Sequence, residues 1–194
     1  MNEKKSLDSE YFKDVYEAND DPWNFETSEY EAEKYAATIL SLPRKHYENV
    51  LEIGCSIGVL TQLLAQKSTQ LLAIDVSEKA LNLAAKRCEK LSNTTFKKMN
   101  FPEELPDESY DLMMISEVAY YLSASDWQFA IFGLYERLLP EGNVVLVHWL
   151  PVVHDYPQTG DEVHNSFEKL MKDKMTNVFS TRAENYRIDV WAKS

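Results

Sequence analysis

A glycine-containing turn between an apolar run and a helical pattern constrains the fold more than any other feature. The apolar run 48–53 leads into residues 54–58 (Gly-Cys-Ser-Ile-Gly), and the next apolar run ends at Asp75. Glycine lets the backbone turn sharply and approach a ligand closely. A carboxylate about 20 residues after such a turn is placed to bind the two hydroxyls of a ribose. The segment therefore predicts a nucleoside-binding βαβ unit.

Strand and helix patterns alternate along most of the chain. Short apolar runs of this kind are typical of a parallel sheet that is covered on both faces. Together they predict an α/β fold, a Rossmann-like, doubly wound and mostly parallel sheet with helices on both faces. The predicted strands are 48–53, 70–75, 94–99, 110–115 and 143–149, and the predicted helices between them are 57–67, 78–91 and 125–139.

Both ends of the chain depart from this alternation. Helices are predicted at 9–18, at 29–41 after the capping residue Ser28, and near 164–174. The segments 176–182 and 185–192 predict a C-terminal antiparallel strand pair. We predict one domain, 1–194, composed of an N-terminal helical cap segment (1–43), a cofactor-binding core (44–150) and an acceptor-side loop, helix and strand pair (151–194).

Composition argues against several classes of partner and site. The net charge of −12 repels phosphate backbones, which disfavours nucleic acid. No apolar run reaches bilayer length, so no membrane association is predicted, and Met1–Ser6 lacks the apolar core of a leader peptide, which predicts a cytoplasmic location. Two cysteines are too few for a disulfide framework or a zinc site, and no metal is predicted.

The spacing of the glycine turn differs from the G-x-G-x-x-G of dinucleotide sites. Residues 52–58 have the pattern E-x-G-x-S-x-G, which resembles motif I of class I S-adenosylmethionine-dependent methyltransferases, with Ser56 in place of the middle glycine. The segments 110–117 and 138–142 resemble later motifs of that family in the same order. The resemblance implies S-adenosyl-L-methionine as the cofactor.

Less common segments resemble the nodulation protein S family of N-methyltransferases. They are 21–28 (Asp-Pro-Trp-Asn-Phe-Glu-Thr-Ser), 54–61, 116–122 and 154–164. That family acts on the free amine of a de-N-acetylated chitooligosaccharide. The resemblance therefore implies N-methylation of a small-molecule or oligosaccharide acceptor, with the amine of an aminosugar as the expected group.

The resemblance also implies roles for individual residues. Trp23 and Lys34 are expected at the methionine part of the cofactor, with Lys34 paired to its carboxylate; the alternatives are a packing anchor and a surface charge. The remaining cofactor contacts are expected from Gly54, Cys55, Ser56 and Gly58 in the turn, Asp75 and Val76 at the ribose and adenine, Asn100 and Phe101 at the adenine, and Glu117 at the sulfonium.

Candidate catalytic residues follow the fourth and fifth predicted strands. An amine must be neutral to attack and becomes cationic as it does so, which calls for a proton acceptor or a stabilising carboxylate. His148 and His164 are candidates for the first role, because histidine exchanges protons near neutral pH, and Asp161 and Glu117 are acidic candidates. Structural hydrogen bonding is the alternative for each histidine, and metal binding is an alternative for His164 together with His154, Asp155 and Asp161. The aromatic residues Tyr120, Tyr121, Trp149 and Tyr156 fit either a sugar-binding wall or the core.

Three alternatives to the predicted reaction stay open. The first is a methyltransferase acting on an unrelated small molecule. The second is a nicotinamide-dependent oxidoreductase, against which the glycine spacing argues. The third is a non-catalytic cofactor-binding protein, since Ser56 and Glu141 depart from the family pattern.

Overall fold

The structure, a computed structural model, describes residues 4–194. Residues 1–3, which belong to the predicted cap segment and to the stretch without a leader core, lie outside the described residues. The elements in chain order are α1 (Ser9–Ala18), α2 (Glu29–Ser41), β1 (Tyr47–Ile53), α3 (Val59–Ala65), β2 (Ser68–Asp75), α4 (Glu78–Arg87), β3 (Thr94–Lys98), β4 (Tyr110–Ser116), a 3-10 turn (Ala119–Tyr121), α5 (Ala124–Arg137), β5 (Leu138–Trp149), α6 (Gly160–Met171), β6 (Met175–Arg182) and β7 (Tyr186–Lys193).

The seven strands form one mixed sheet. Their order is β3-β2-β1-β4-β5-β7-β6. The five strands β1 to β5 pair in parallel, whereas β7 is antiparallel to both β5 and β6. This arrangement confirms the predicted fold class. The strand order reverses between β1 and β4, and ligands of such sheets bind outside the carboxyl ends of the strands at that point.

The central strands are apolar because helices cover both faces of the sheet. In β4, Leu112 and Met114 pack on one side while Met113 and Ile115 pack on the other, and all four have no exposed surface. Burying one such side chain contributes about 1.5–3 kcal/mol to folding. The continuous apolar run in the sequence is therefore the signature of a strand with two covered faces.

Several boundaries differ from the sequence prediction; α4, for example, ends at Arg87 rather than at 91. Helix α6 begins at Gly160 rather than near 164, because Thr159 and Glu162 form a reciprocal capping box. A Cβ atom at Gly160 would lie 2.4 Å from the carbonyl oxygen of Trp149, so glycine allows α6 to start directly against the end of β5. Strand β5 begins at Leu138, immediately after α5, rather than at 143. The earlier start of α6 places His164 within the helix, facing the sheet with no exposed surface.

Within residues 4–194, no helix has both the length and the apolar character needed to cross a lipid bilayer.

Candidate functional site

A cavity of about 480 Å³ lies at the carboxyl ends of β1, β2 and β4, and residues of α1 and α2 complete its wall. Ten of the eleven predicted cofactor-binding residues line it. These ten are Trp23, Lys34, Gly54, Cys55, Ser56, Asp75, Val76, Asn100, Phe101 and Glu117. Gly58 is the exception, because it begins α3 behind the turn and packs against Ala84. The cavity is thus where the strand order reverses and where the sequence placed the cofactor.

The turn after β1 and the turn after β2 are joined through one carboxylate. Asp75 accepts hydrogen bonds from the backbone N–H of Ser56 through Oδ2 and from that of Ser77 through Oδ1, each at 2.9 Å. Burial raises the pKa of Asp75 above its ordinary value, although these amide donors oppose the rise. Ser56 has a left-handed φ of 49°, and the hydroxyl groups of Ser56 and Tyr16 lie 2.5 Å apart. Ser56, which replaces the middle glycine of the motif, therefore has a hydrogen-bond partner in Tyr16 of α1.

The conformation and packing of Gly54 both require glycine. Its φ of 73° lies in the left-handed region, and an added Cβ would lie 2.2 Å from Cγ2 of Val118. This contact joins the turn after β1 to the segment after β4. Packing between these two segments therefore requires glycine at position 54, and close approach of a ligand there stays a prediction.

Lys34 is buried between two carboxylates rather than exposed at the surface. Its Nζ lies 2.8 Å from an oxygen of Glu31 and 2.5 Å from Oε1 of Glu117, and the residue is 1% exposed. Burial by itself lowers the pKa of Lys34, but the two carboxylates outweigh burial and raise it. The lysine is therefore cationic, and the group of three carries one net negative charge when both acids are ionised. The surface-charge alternative does not fit this placement.

Glu117 is fixed by three donors at the end of β4. Besides Lys34, the hydroxyl of Tyr120 donates to its Oε2 at 2.5 Å and the backbone N–H of Trp149 donates to the same oxygen at 2.9 Å. Its φ of 58° places the residue in the left-handed region. A non-glycine residue in this conformation is uncommon and is often found at functional sites.

Glu52 is a cavity residue that was not among the predicted site residues. It is 2% exposed, it lines the cavity, and its Oε2 has no hydrogen-bond partner among the described residues. Burial raises its pKa to about 8. The acid two positions before the first glycine of the motif was the available signal for this residue.

The wall of the cavity combines acidic and aromatic side chains. Within the described part of the chain it holds five carboxyl groups and a single amino group, that of Lys34. The carboxyl groups belong to Asp8, Glu31, Glu52, Asp75 and Glu117, and the aromatic rings to Phe12, Tyr16, Trp23, Phe25, Tyr30, Tyr35, Phe101, Tyr120, Tyr121, Trp149 and Tyr156. Carboxylates and ring faces both attract cations, so this wall favours a positively charged ligand.

Trp23 and the tyrosines after β4 belong to packed groups and to the cavity wall at the same time. The ring of Trp23 stacks on Phe25 at 5.6 Å between centroids. Tyr120 stacks on Tyr156 at 5.0 Å, and Tyr121 meets the same ring edge-on at 4.7 Å. These rings are therefore packed against one another and also line the cavity, while sugar binding by the tyrosines stays a prediction.

The start of the described chain is tied down over the cavity. The backbone N–H of Leu7 donates to the carbonyl of Tyr121 at 2.9 Å, and the N–H of Ser123 donates to the hydroxyl of Ser6 at 2.7 Å. At the other end of α1, Nζ of Lys79 donates to the carbonyl of Tyr16 at 2.6 Å. The helix that supplies Phe12 and Tyr16 to the wall is thus held at both ends.

The predicted bases His148 and His164 lie outside the lining of the cavity. Both are fully buried, and their rings form a hydrogen-bonded chain with Asp189 of β7. Burial lowers the pKa of His148, and it lowers the pKa of His164 despite the neighbouring Asp189. Because of these hydrogen bonds, neither imidazole has a ring nitrogen that faces the cavity. Their role as bases stays a prediction that this placement does not favour.

Asp161 lies near the start of α6, away from the cavity, and pairs with two arginines. Both guanidinium nitrogens of Arg182 donate to its carboxylate, and a nitrogen of Arg187 lies 3.6 Å away. Hydrogen bonding from Arg182 lowers the pKa of Asp161. No cluster of three or more potential metal ligands occurs among residues 4–194.

Comparison with known proteins gives a family match over most of the chain. The family model described as nodulation protein S (NodS) matches residues 9–147. Nodulation protein S of Rhizobium tropici is 31% identical over 130 residues, covering 66% of this chain and 55% of that protein. Its counterpart in Bradyrhizobium diazoefficiens is 30% identical over 131 residues, covering 66% of this chain and 62% of that protein. The chain thus spans little more than half the length of these relatives.

Solved structures share the fold over most of both chains. A putative methyltransferase from Pseudomonas syringae is 29% identical, with a TM-score of 0.75 over 84% of this chain and 99% of that chain. The N-methyltransferase NodS from Bradyrhizobium japonicum WM9, in complex with S-adenosyl-L-homocysteine, has a TM-score of 0.85 at 24% identity over 96% of this chain and 99% of that chain.

Proposed function

This chain belongs to the nodulation protein S family, and on that premise we propose that it is an S-adenosylmethionine-dependent N-methyltransferase. The observation that carries the proposal is the cavity wall, in which residues 4–194 place five carboxyl groups, eleven aromatic rings and one lysine. S-adenosylmethionine carries a positive sulfur, and an amine acceptor becomes cationic as it is methylated. A wall of carboxylates and ring faces stabilises both charges.

The same wall argues against the nicotinamide alternative. A dinucleotide brings a doubly anionic pyrophosphate to the glycine turn. Here the backbone N–H of Ser56 in that turn is already bound to the carboxylate of Asp75. Residues 54–58 also offer the pyrophosphate no cationic side chain.

The residues of the cavity fit the parts of the proposed cofactor. Asp75 would accept from the ribose hydroxyls, and Asn100 and Phe101 would contact the adenine. Glu52 has an unpartnered oxygen, which suits the ammonium of the methionine part. Lys34 has three N–H donors for two carboxylate partners, so one donor would remain for the carboxylate of that part.

When bound, S-adenosylmethionine supplies a methyl group that is already activated by its positive sulfur. The contribution of the chain is therefore to align the reactants and to exclude water. Lys34, Tyr120 and the N–H of Trp149 together hold Glu117 in one orientation at the end of β4. From that position we infer that its carboxylate stabilises the positive charge that develops on the acceptor nitrogen.

The acceptor is proposed to be the amine of an aminosugar or of a de-N-acetylated chitooligosaccharide. The stacked rings of Tyr120 and Tyr156 and the ring of Trp149 support this choice, because sugar faces pack on flat aromatic surfaces. The same wall suits another small amine that becomes cationic on methylation. The cytoplasmic location and the exclusion of nucleic acid and membrane partners stay predictions from the sequence.

Mass spectrometry of a chitooligosaccharide with one free amine, incubated with the protein and S-adenosylmethionine, tests the reaction and its acceptor together. We expect a gain of one methyl group on the de-acetylated sugar. Glu117→Gln keeps the size of the side chain but removes its charge, so we expect the rate to fall at least tenfold. The matched control is Glu48→Gln, on an exposed residue of β1, which should keep the full rate.

Calorimetric titration of S-adenosylmethionine and of NAD on the same sample separates the remaining alternatives. Cofactor binding without methylation of the oligosaccharide, but with methylation of another amine, would leave the reaction standing and replace the acceptor. Cofactor binding with no transfer to any amine in a broad panel would favour a non-catalytic protein. Binding of NAD in place of S-adenosylmethionine would overturn the proposal.

A further inference from the structure

A buried chain of three side chains runs from the last strand of the sheet to the turn that follows β4. We propose that Asp189, acting through His164 and His148, positions the turn that presents Glu117 and Tyr120 to the cavity. These are positioning residues, because none of the three lines the cavity. The proposal deepens the proposed function and rests on it only where the rate of methyl transfer is concerned.

The hydrogen bonds of the chain run in one direction. At the near end, the backbone N–H of Ala119 donates to Nε2 of His148 at 3.2 Å, so this nitrogen must carry a lone pair. Nδ1 of His148 then carries the proton and donates to Nε2 of His164 at 3.1 Å. Nδ1 of His164 in turn carries its proton and donates to Oδ2 of Asp189 at 2.7 Å. One pair of tautomers therefore satisfies every group.

The environment of Asp189 requires the same direction of hydrogen bonding. Asp189 is fully buried, and it accepts from the hydroxyl of Ser180 at 2.6 Å and pairs with Arg187 at 2.8 Å. Its hydrogen bond from His164 and these neighbours lower its pKa despite its burial. An ionised carboxylate can only accept, so it selects the tautomer of His164 that donates from Nδ1. The carboxylate of Asp189 and the backbone N–H of Ala119 thus impose the same pair of tautomers on His148 and His164.

The turn after β4, which these three side chains support, has an uncommon backbone conformation. Glu117 has a left-handed φ of 58°, and two residues later the 3-10 turn begins at Ala119, which has no exposed surface. The side chain of Gln158 binds the carbonyl of Leu122 at 2.9 Å and thereby anchors the far end of the turn. His148 supplies the partner for the buried amide between Glu117 and Tyr120. Without it, that amide would be left buried and unpaired, which is unfavourable.

The tautomers themselves are the first test, and this test does not depend on any enzymatic activity. Nitrogen-15 NMR of the histidine side chains in the intact protein distinguishes a protonated ring nitrogen from an unprotonated one. We expect Nδ1 protonated and Nε2 unprotonated in both His148 and His164 at neutral pH. The opposite tautomer in either ring would overturn the proposal, whether or not the protein methylates an amine.

Two substitutions at Asp189 then test the action on the turn. Asp189→Asn keeps an oxygen that accepts from His164, so the expected kcat stays within about threefold of the wild type. Asp189→Leu removes the acceptor and frees the opposite tautomers, so we expect kcat to fall at least tenfold while KM for the amine changes less than threefold. The matched control Ser180→Ala removes a different hydrogen bond of the carboxylate and should keep the wild-type tautomers.

The outcomes separate the proposal from the proposed function. Wild-type kcat in Asp189→Leu would overturn the positioning role. If Asp189→Leu does not fold, the comparison passes to Asp189→Asn, where loss of the predicted tautomers together with an unchanged kcat would overturn it. If neither the wild type nor any variant methylates an amine, the proposed function fails. The histidine tautomers then still show whether the hydrogen bonds from Asp189 to Ala119 have the direction given above.

Discussion

Glu52 gives the sharpest quantitative prediction, because it is a buried acid that has no ionic partner among residues 4–194. Burial raises its pKa from 4.5 to about 8, so the folded protein keeps its proton at neutral pH while the unfolded chain loses it. A raised folded-state pKa of an acid stabilises the protein below the unfolded value, and this contribution is lost as pH rises toward 8. Relative to a pH well below 4.5, the buried carboxyl thus lowers the free energy of unfolding by ~1 kcal/mol at pH 5, ~3 kcal/mol at pH 7 and ~4 kcal/mol at pH 8.

Glu52→Gln removes this titration and keeps the shape of the side chain. We expect the free energy of unfolding of the variant, relative to the wild type, to increase by ~3 kcal/mol between pH 5 and pH 8. Urea denaturation at half-unit pH steps measures the difference, with Glu48→Gln on the exposed side of the same strand as the control. A constant difference across this range would refute the reasoning that burial holds Glu52 neutral.

The same residue links stability to the proposed cofactor. An ammonium group beside Glu52 would favour the ionised carboxylate, so binding at pH 7 should release a proton from the wild type. Calorimetric titrations in buffers of different ionisation enthalpy count that proton. We expect no such release from Glu52→Gln, and equal proton release from both proteins would show that the ammonium binds elsewhere.

Three further perturbations test other parts of the site. Lys34→Met removes the cation that pairs with both Glu31 and Glu117, and it should lower the free energy of unfolding by about 3–5 kcal/mol in urea denaturation. Gly54→Ala adds a Cβ 2.2 Å from Cγ2 of Val118 at a left-handed φ, and should cost at least ~1 kcal/mol in the same assay. Burial lowers the pKa of His148 and that of His164, so the unfolded chain binds more protons than the folded protein as pH drops below 6.5. The free energy of unfolding should therefore fall below pH 6.5, by up to ~1.4 kcal/mol per pH unit for each histidine.

Matched variants decide each of these outcomes. Lys45→Met, at an exposed lysine, should leave stability within about 0.5 kcal/mol of the wild type, and an equal loss in both lysine variants would contradict the ion-pair argument. Val118→Ala should relieve part of the cost of Gly54→Ala, and strictly additive costs would show that the two side chains do not meet. His148→Phe should flatten the acid slope and His46→Phe should not, so equal slopes in all three proteins would argue against burial as its cause.

Local sequence patterns predicted most of the fold because the physics behind them is local. Apolar runs marked the strands, and Ser28 caps α2 as its spacing to Glu31 indicated. The predicted start of α6 is wrong, although Thr159 and Glu162 show the same capping pattern. The acceptor-side helix was therefore expected one turn later than it forms.

The candidate site was predictable as a set of cavity residues but not as a set of contacts. Motif spacing placed Asp75 and Glu117 at the carboxyl ends of β2 and β4, where the structure has them. The pairing of Glu117 with Lys34 joins residues 83 positions apart, and the chain from His148 ends on β7. Such contacts depend on strand order and antiparallel register, which no local pattern contains.

The position of β7 in the sheet has a consequence for the order in which the chain is made. Of the seven strands described, β7 is the last in sequence, yet it lies between β5 and β6 and carries the carboxylate on which the turn after β4 depends. During synthesis the parallel half of the sheet emerges first, and its glycine turn and Asp75 can take up their places before residue 189 exists. The side of the cavity that holds Glu117 and Tyr120 cannot be completed before residue 189 has been synthesised.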